Sequence, residues 1–213
     1  MGFMSYKRNQ VEDALIRSLP SAGADADSLR ISVKRLLDTD RRLGGPAKPR
    51  TGGYAFYSAK PPGSGTEVLF SAYEAEALRL GVVLMNGGLP QATAVRVLRD
   101  NRIIVEAEHE RILQLDPKSF RKIVPAPGRI VDAFEQSVYL VIAAKSNATG
   151  VPDSAPKSPV PTARICRSEI ELSKFTSKEL GYERVAMVIN LTGSSFAMAE
   201  ALKGTEPSRR GKK

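Results

Sequence analysis

The sequence predicts an α+β fold with two parts, a helical domain over residues 1–115 and a smaller α+β domain over residues 116–204. Two observations support this division. Apolar residues recur at helical spacing through most of the first part, whereas after residue 136 they form short continuous runs that are typical of buried strands. A stretch over 145–162, rich in proline and small polar residues, predicts a flexible loop within the second part. Residues 205–213 are expected to form a disordered basic tail.

Two helices are predicted near the N-terminus. Apolar residues at helical spacing define the first over residues 10–19, and Pro20 ends it. The second is expected to begin at Asp27 or Ser28, which are both good N-cap residues, and to end at Leu43 before a Gly-Gly-Pro sequence. The chain is therefore expected to begin with two helices joined by a turn.

The second predicted helix, residues 28–43, has a basic face beside its apolar face. On a helical wheel with about 100° per residue, its leucines and its valine fall on one arc and five cations fall on the adjoining arc. The five cations are Arg30, Lys34, Arg35, Arg41 and Arg42. Asp38 lies among them. The pattern predicts a row of outward-facing positive charges that meets a polyanion, and the alternative interpretation is an ordinary solvated helix face.

A small β-hairpin is predicted next, over residues 54–70. Two short strand-like segments, 54–58 and 67–70, flank a loop that is rich in glycine and proline. An irregular loop is the alternative interpretation of the same segment.

Two further helices complete the first predicted domain. Ser71 and Glu74 match a capping box, which begins a helix that reaches about Asn86 and is apolar on nearly all sides. Such a helix belongs in the centre of a domain. A long helix is predicted to follow over residues 91–115, and its seven-residue apolar repeat is a candidate for a dimer contact. The residues of that repeat are Leu98, Val105 and Ile112.

The second domain is predicted to contain three strands and a last helix. Apolar runs at 137–144 and 184–191 predict buried strands, and the partly alternating segment 164–172 predicts an edge or half-buried strand. Thr192 is expected to cap a final helix that reaches Leu202.

One histidine and one cysteine exclude several classes of site. A zinc cage needs about four nitrogen or sulfur ligands, and a Ser-His-Asp or Cys-His catalytic group would have only His109 as its imidazole. Cys166, within a predicted strand, is expected to serve packing. His109 stands among three glutamates in a predicted helix, so we expect a surface histidine with raised proton affinity. The sequence therefore predicts a binding protein, with no cofactor and no metal, rather than an enzyme.

The net charge of +9 and the pI near 9.8 favour an anionic partner, of which nucleic acid and anionic membrane are the usual kinds. No segment approaches the roughly 18 apolar residues of a membrane-spanning helix, and no secretory signal is recognised at the start. One unpaired cysteine agrees with a reducing compartment. We therefore expect a cytoplasmic protein that binds nucleic acid and has no membrane partner.

Three stretches of the first domain follow a recognisable order. They are Gly53-Tyr-Ala-Phe-Tyr-Ser58, then Ser71-Ala-Tyr-Glu-Ala-Glu-Ala-Leu-Arg-Leu80, then Asn86-Gly-Gly-Leu-Pro-Gln-Ala92 with Val95-Arg-Val-Leu-Arg99. A Gly-Tyr-x-x-Tyr strand thus precedes a helix that ends in glycine, and a second helix with a short aliphatic pattern follows. Over about residues 28–102 this order resembles the MerR-type winged helix-turn-helix family. The resemblance implies a winged helix-turn-helix domain that binds double-stranded DNA as a homodimer.

The resemblance also implies roles for individual side chains. The five cations of helix 28–43 would approach the major groove and meet phosphates, and one or two of them would reach guanine edges. Tyr54 and Tyr57 would offer hydroxyl groups to phosphates or pack within the wing. Three cations of the loop and wing would bind the phosphate backbone of the flanking DNA: Lys48, Arg50 and Lys60.

The expected function is therefore sequence-specific DNA binding by a transcriptional regulator, in which the second domain mediates assembly or binds an effector that the sequence does not identify. The alternative is a protein-interaction adaptor, whose complex would survive high salt and which would have no affinity for nucleic acid. The basic tail would enter a minor groove or serve solubility.

Overall fold

A computed structural model describes residues 4–19, 25–44, 53–61, 67–117, 137–145, 161–180 and 184–205. Within these ranges the chain is mainly helical and has two small antiparallel sheets, so the predicted α+β fold class is confirmed. The helices are α1 (Arg8–Ser18), α2 (Ala26–Leu43), α3 (Ala72–Asn86), α4 (Gln91–Asp100), α5 (Arg102–Leu113), α6 (Glu169–Lys174), which continues into a π-helical turn (Phe175–Glu179), and α7 (Leu191–Lys203). The strands are β1 (Tyr6–Lys7), β2 (Leu69–Phe70), β3 (Tyr139–Lys145), β4 (Thr162–Cys166) and β5 (Arg184–Asn190).

Side-chain caps fix where several helices begin. Asp25, rather than Asp27 or Ser28, caps α2, and its carboxylate accepts the Ser28 N–H at 2.9 Å. The helix therefore begins earlier than the sequence predicts. The capping box predicted for α3 is present. Asn190, rather than Thr192, caps α7.

The larger sheet has the strand order β4–β3–β5, and both strand pairs are antiparallel. Tyr139 of β3 lies opposite Cys166 of β4. The strand predicted over residues 164–172 is correct only as far as Cys166, and the rest of that prediction is wrong. Ser168 accepts the N–H of Glu171 and begins α6, so a short helix directly follows the strand.

The predicted hairpin over residues 54–70 is wrong. Residues 54–58 form no strand, and β2 pairs instead with β1, where Tyr6 lies opposite Phe70. The physical reason is that the charged side chains of Asp40 on α2 and Arg102 on α5 bind backbone N–H and C=O groups of residues 54–57. Those groups are then not free to form a strand ladder.

Asn101 divides the predicted long helix into α4 and α5. The Asn101 side-chain amide donates a hydrogen bond to the Val97 carbonyl at 2.8 Å, at the end of α4. The three residues of the seven-residue repeat are all buried in the core: Leu98, Val105 and Ile112. The repeat therefore stabilises the fold of one chain, and the suggested dimer contact through these residues is wrong.

The helix α3 lies at the centre of the fold, as its apolar sequence predicts. It packs against α1, α2, α4, α5 and α7. The last helix, α7, also packs against α1, α5, β3 and β5. One continuous core therefore contains residues from both predicted parts of the chain, among them Leu78, Ile142 and Met198. A smaller cluster on the sheet includes Cys166 and Phe175, so the cysteine serves packing.

Two predicted segments, the loop over 145–162 and the tail over 205–213, lie almost wholly outside the described residues. Within the described ranges, every helix falls short of the length and apolar character that a bilayer-spanning helix needs.

Candidate nucleic-acid interface

The packing of α2 fixes the direction in which its cations point. The helix has 18 residues and is therefore about 27 Å long. Its buried apolar side chains lie on one face and pack towards α1, α3 and α4. They are Leu29, Val33, Leu36 and Leu37. The rest of the helix surface is exposed to solvent and carries the five predicted cations.

Three of these cations line one open groove. Arg35, Arg41 and Arg42 surround a depression of about 630 Å³ together with Asp38 and Gln91. Gln91 is the first residue of α4, and its side-chain amide donates to the Arg35 carbonyl at 2.8 Å and to the Thr39 hydroxyl. The start of α4 is thereby held against α2 and forms one wall of the groove.

Two of the three groove arginines contact neighbouring side chains of the chain. The Arg42 guanidinium donates to the Thr39 hydroxyl at 3.1 Å. The Arg41 guanidinium lies over the ring of Tyr57, 5.6 Å from the ring centroid, in a cation–π contact. Lys34 and Arg35 are exposed, and their side chains make no hydrogen bond or ion pair with the rest of the described chain. All four cations thus remain open to an anion.

Arg30 differs from the other four cations because carboxylates already surround it. Its guanidinium lies 2.9 Å from the carboxylate of Asp27 and 4.0 Å from that of Glu12 on α1. Its charge is therefore partly compensated within the chain, and it contributes less than the others to an anion-binding face.

The segment 53–61 lies beside the C-terminal end of α2, and a buried carboxylate holds it there. Asp40 is fully buried and accepts the N–H groups of Ala55 and Phe56 at 3.1 and 3.0 Å. Arg99 of α4 forms an ion pair of 2.6 Å with the same carboxylate and also donates to the Leu43 carbonyl at 2.6 Å. Arg99 therefore pairs with the Asp40 carboxylate and also satisfies a free backbone carbonyl group at the C-terminal end of α2.

A second buried charge binds the carbonyl groups of the same segment. Arg102, at the start of α5, donates to the carbonyls of Tyr54 and Tyr57 at 2.9 and 2.5 Å. The Glu74 carboxylate lies 3.6 Å from the Arg102 guanidinium. It also accepts a hydrogen bond of 2.7 Å from the Ser58 hydroxyl. Side chains thus bind two backbone N–H groups and two carbonyl groups of this segment, which stabilises its conformation beside α2.

The two predicted tyrosines differ in burial, and Lys60 is the one described cation among the three predicted for the loop and wing. Tyr54 is half-buried, with the Arg99 guanidinium 5.6 Å from its ring centroid. Tyr57 is buried, its hydroxyl group meets no acceptor or donor in good hydrogen-bond geometry among the described residues, and burial raises its pKa against the opposing effect of Arg41. The proposed contact of the Tyr57 hydroxyl with a phosphate is therefore wrong, whereas its alternative role in packing agrees with the structure. Lys60 is exposed. Lys48 and Arg50 lie outside the described residues.

The prediction of a surface histidine is wrong. His109 is only 2% exposed, because α5 turns this side chain towards α7, where its Nδ1 lies 3.0 Å from the Ser195 hydroxyl. Burial lowers the pKa of His109 to about 4. In the part of the chain that the structure describes, no group of three His, Cys, Asp or Glu side chains is placed to hold a metal ion.

A buried carboxyl group, which the sequence did not single out, joins the last helix to the centre. Glu76 of α3 is fully buried and accepts a hydrogen bond from the Ser194 hydroxyl of α7. Arg79, one turn later on α3, donates to the same hydroxyl and to the Ser18 carbonyl. Burial raises the pKa of Glu76 to about 7, against the opposing effects of Arg79 and Ser194.

Sequence reasoning missed five residues that shape the interface. Gln91 forms a groove wall, Ile31 is half exposed on the cationic face, and three charged residues fix the neighbouring segment: Asp40, Arg99 and Arg102. A local signal existed for Ile31, which falls on the basic arc of the helical wheel. The other four depend on contacts between distant parts of the sequence, and no local pattern marks them.

Comparisons with protein-family models, with curated proteins and with solved structures give no significant match to this chain. They do not test the resemblance noted for residues 28–102, which stays a prediction.

Proposed function

We propose that this protein binds double-stranded DNA through the exposed face of α2 and acts as a transcriptional regulator in the cytoplasm. The observation that carries the proposal is a group of four cations on one face of one helix, with no carboxylate paired to them among the described residues. The four cations are Lys34, Arg35, Arg41 and Arg42. Four outward-facing cations on one helix form the electrostatic footprint of a nucleic-acid-binding element.

The dimensions of α2 suit the major groove of DNA. The helix is about 27 Å long and, with side chains, about 10–12 Å across. The major groove is about 12 Å wide and admits one α-helix. α1 packs against α2 and precedes it, which is the order of a helix-turn-helix whose second helix enters the groove.

The DNA contact in this proposal does not use a hairpin wing. Residues 53–61 take the place of the wing beside the C-terminal end of α2, and Lys60 is the exposed cation of that segment. A homodimer is part of the proposal, since two copies of α2 would meet two half-sites of a symmetric operator.

A second candidate function is docking of a protein partner, and one observation favours it. Ile103 and Ile104 of α5 are 56% and 45% exposed, and with Ala107 and Ile165 they line a groove of about 410 Å³. Exposed apolar patches with a polar rim are typical of protein-interaction sites. A complex that survives high salt, in a protein without affinity for nucleic acid, would favour this function over the first.

The first proposal is tested by titrating a labelled DNA duplex with the full chain at several salt concentrations. We expect the Arg35→Ala, Arg42→Ala double variant to bind more weakly and to lower the slope of log affinity against log salt by about 1.8, since each phosphate contact contributes about 0.9. The matched control, Lys174→Ala with Lys178→Ala, removes two exposed cations from α6 and its π-helical turn and should keep the wild-type slope. Equal effects in both pairs, or a wild-type protein that binds no duplex at low salt, would contradict the proposal.

A further inference from the structure

The exposed face of α2 has a centre and two flanks. With about 100° per residue, Ile31 lies within about 20° of Asp38 on a projection down the helix axis. Arg35 and Arg42 lie about 40–60° to one side of Asp38, and Lys34 and Arg41 lie about 40–60° to the other. Ile31 is 50% exposed and Asp38 is exposed, so both centre residues reach solvent between the two cationic flanks.

The two centre residues cannot bind phosphate. Asp38 is an exposed carboxylate that forms no ion pair of 4 Å or less with the described arginines around it. Its charge repels a phosphate, and the Ile31 side chain has no polar group to offer one. A face that served only the DNA backbone would gain nothing from either residue. In a face that binds DNA, these two positions therefore suit contacts other than those with phosphate.

The shape of the face fits a helix that lies in the major groove. The long side chains of the flanks can reach the phosphates of the two strands, which border the groove on both sides. The short side chains of the centre then face the floor of the groove, where the base edges are exposed. A carboxylate accepts hydrogen bonds, and an aliphatic side chain contacts a methyl group.

The edges of the four bases differ in what they offer to these two groups. Guanine presents only acceptors, thymine presents an acceptor and a methyl group, and adenine presents an acceptor beside its amino group. Cytosine presents its N4 amino group alone, which is the best match for a carboxylate. An isoleucine matches the thymine methyl group.

We propose that Asp38 and Ile31 are the base-reading residues of α2, with Asp38 accepting from the amino group of a cytosine and Ile31 contacting the methyl group of a thymine. This inference rests on the proposed function. The two residues are seven positions apart, about 10 Å along the helix axis, so the two bases lie within about three base pairs of each other.

The experiment is affinity selection from a duplex DNA library with a randomised centre, followed by titration of the selected site. We expect the wild-type full chain to select a cytosine and a thymine at this separation, and to lose about tenfold in affinity when the cytosine pair is replaced. In Asp38→Asn the amide donates and accepts, which matches adenine, so the preference at that position should move from cytosine to adenine. Ile31→Ala should lose only the preference for thymine. Glu200→Gln makes the same change of charge on α7 and should select the wild-type site.

Two results would overturn this inference and leave DNA binding intact. One is a wild-type protein that binds duplex DNA but selects no cytosine, and the other is an Asp38→Asn variant that keeps the cytosine preference. A wild-type protein that binds no duplex would instead overturn the proposed function, and this inference with it. Circular dichroism of each variant checks that the substitution leaves the fold unchanged, which is expected because Asp38 and Ile31 are exposed.

Discussion

Asp40 of α2 and Arg99 of α4 form an ion pair in which Oδ1 and Nη2 lie 2.6 Å apart, and the Asp40 side chain has no exposed surface. The same carboxylate accepts the backbone N–H groups of Ala55 and Phe56. One buried group therefore joins two helices and the segment 53–61. Its hydrogen bonds compensate for the cost of removing the charge from water, and nothing else in the described surroundings would replace them.

Removal of the Asp40 carboxylate should destabilise the protein strongly. Asp40→Ala leaves the Arg99 charge and two backbone N–H groups without their partner, so we expect the free energy of unfolding to fall by about 3 kcal/mol or more. Urea denaturation measures this change. Asp38→Ala, two residues earlier but exposed, is the matched control and should change stability by less than about 0.5 kcal/mol. Equal small losses would show that the buried ion pair does not hold the segment.

The cations of α2 should contribute unequally to DNA binding. Lys34 has no ionic partner in the described chain, so Lys34→Ala should lower the slope of log affinity against log salt by about 0.9. Arg30 is already paired with Asp27 and lies near Glu12, so Arg30→Ala should change the slope much less. Duplex titrations of the two variants at several salt concentrations provide the comparison. A larger effect of Arg30 would place the DNA contact nearer the start of α2.

The hydroxyl group of Tyr57 should be dispensable, although its ring is not. The hydroxyl is buried without a partner in good hydrogen-bond geometry among the described residues, so Tyr57→Phe should keep the stability or raise it by about 1 kcal/mol, and should keep the duplex affinity. The ring packs among Tyr54, Phe70 and the Arg41 guanidinium, so Tyr57→Ala should lose about 3 kcal/mol. Denaturation and titration of both variants give the answer. Weaker DNA binding by a stable Tyr57→Phe variant would restore the phosphate role predicted from the sequence.

The features that sequence reasoning predicted correctly are set by nearby residues. The amphipathic pattern of α2, the capping box of α3 and the apolar runs of β3 and β5 each depend on residues within a few turns or one strand. The cations of α2 are exposed for the same reason, because the helical period places them on a different side of the helix from the buried leucines. The ion pair of Arg30 with Asp27 could also be predicted from the sequence, because residues three apart in a helix are neighbours.

Two of the wrong predictions, the strand over residues 54–58 and the surface histidine, have a different cause, which is competition from distant residues. Residues 54–58 have the composition of a strand, but Asp40 and Arg102 bind their backbone groups in place of a second strand. His109 stands among glutamates in the sequence, yet the packing of α7 on α5 buries it beside Ser195. No periodicity in the chain encodes either contact, because each joins elements that are far apart in sequence.

The buried carboxyl group of Glu76 makes stability depend on pH. Its pKa is about 7 in the folded protein, because burial penalises the charged form, against an ordinary value of 4.5 that applies to the unfolded chain. Between these two pH values the unfolded chain has released a proton that the folded protein retains. The contribution of Glu76 to the free energy of unfolding is therefore complete below pH 4.5, falls as the pH rises to about 7, and is constant above it.

Glu76→Gln should remove this dependence, because the amide has the shape of the neutral carboxyl group and can still accept from the Ser194 hydroxyl. We expect the wild-type protein to lose up to about 3 kcal/mol more stability than the variant as the pH rises through this range. Chemical denaturation of both proteins at several pH values measures the difference, and the comparison cancels the contributions of other titrating groups such as His109. Glu200→Gln, which changes an exposed carboxyl group on the same helix as Ser194, should follow the wild-type profile. Parallel profiles for wild type and Glu76→Gln would mean that the carboxyl group is already charged, or hydrated, within the folded protein.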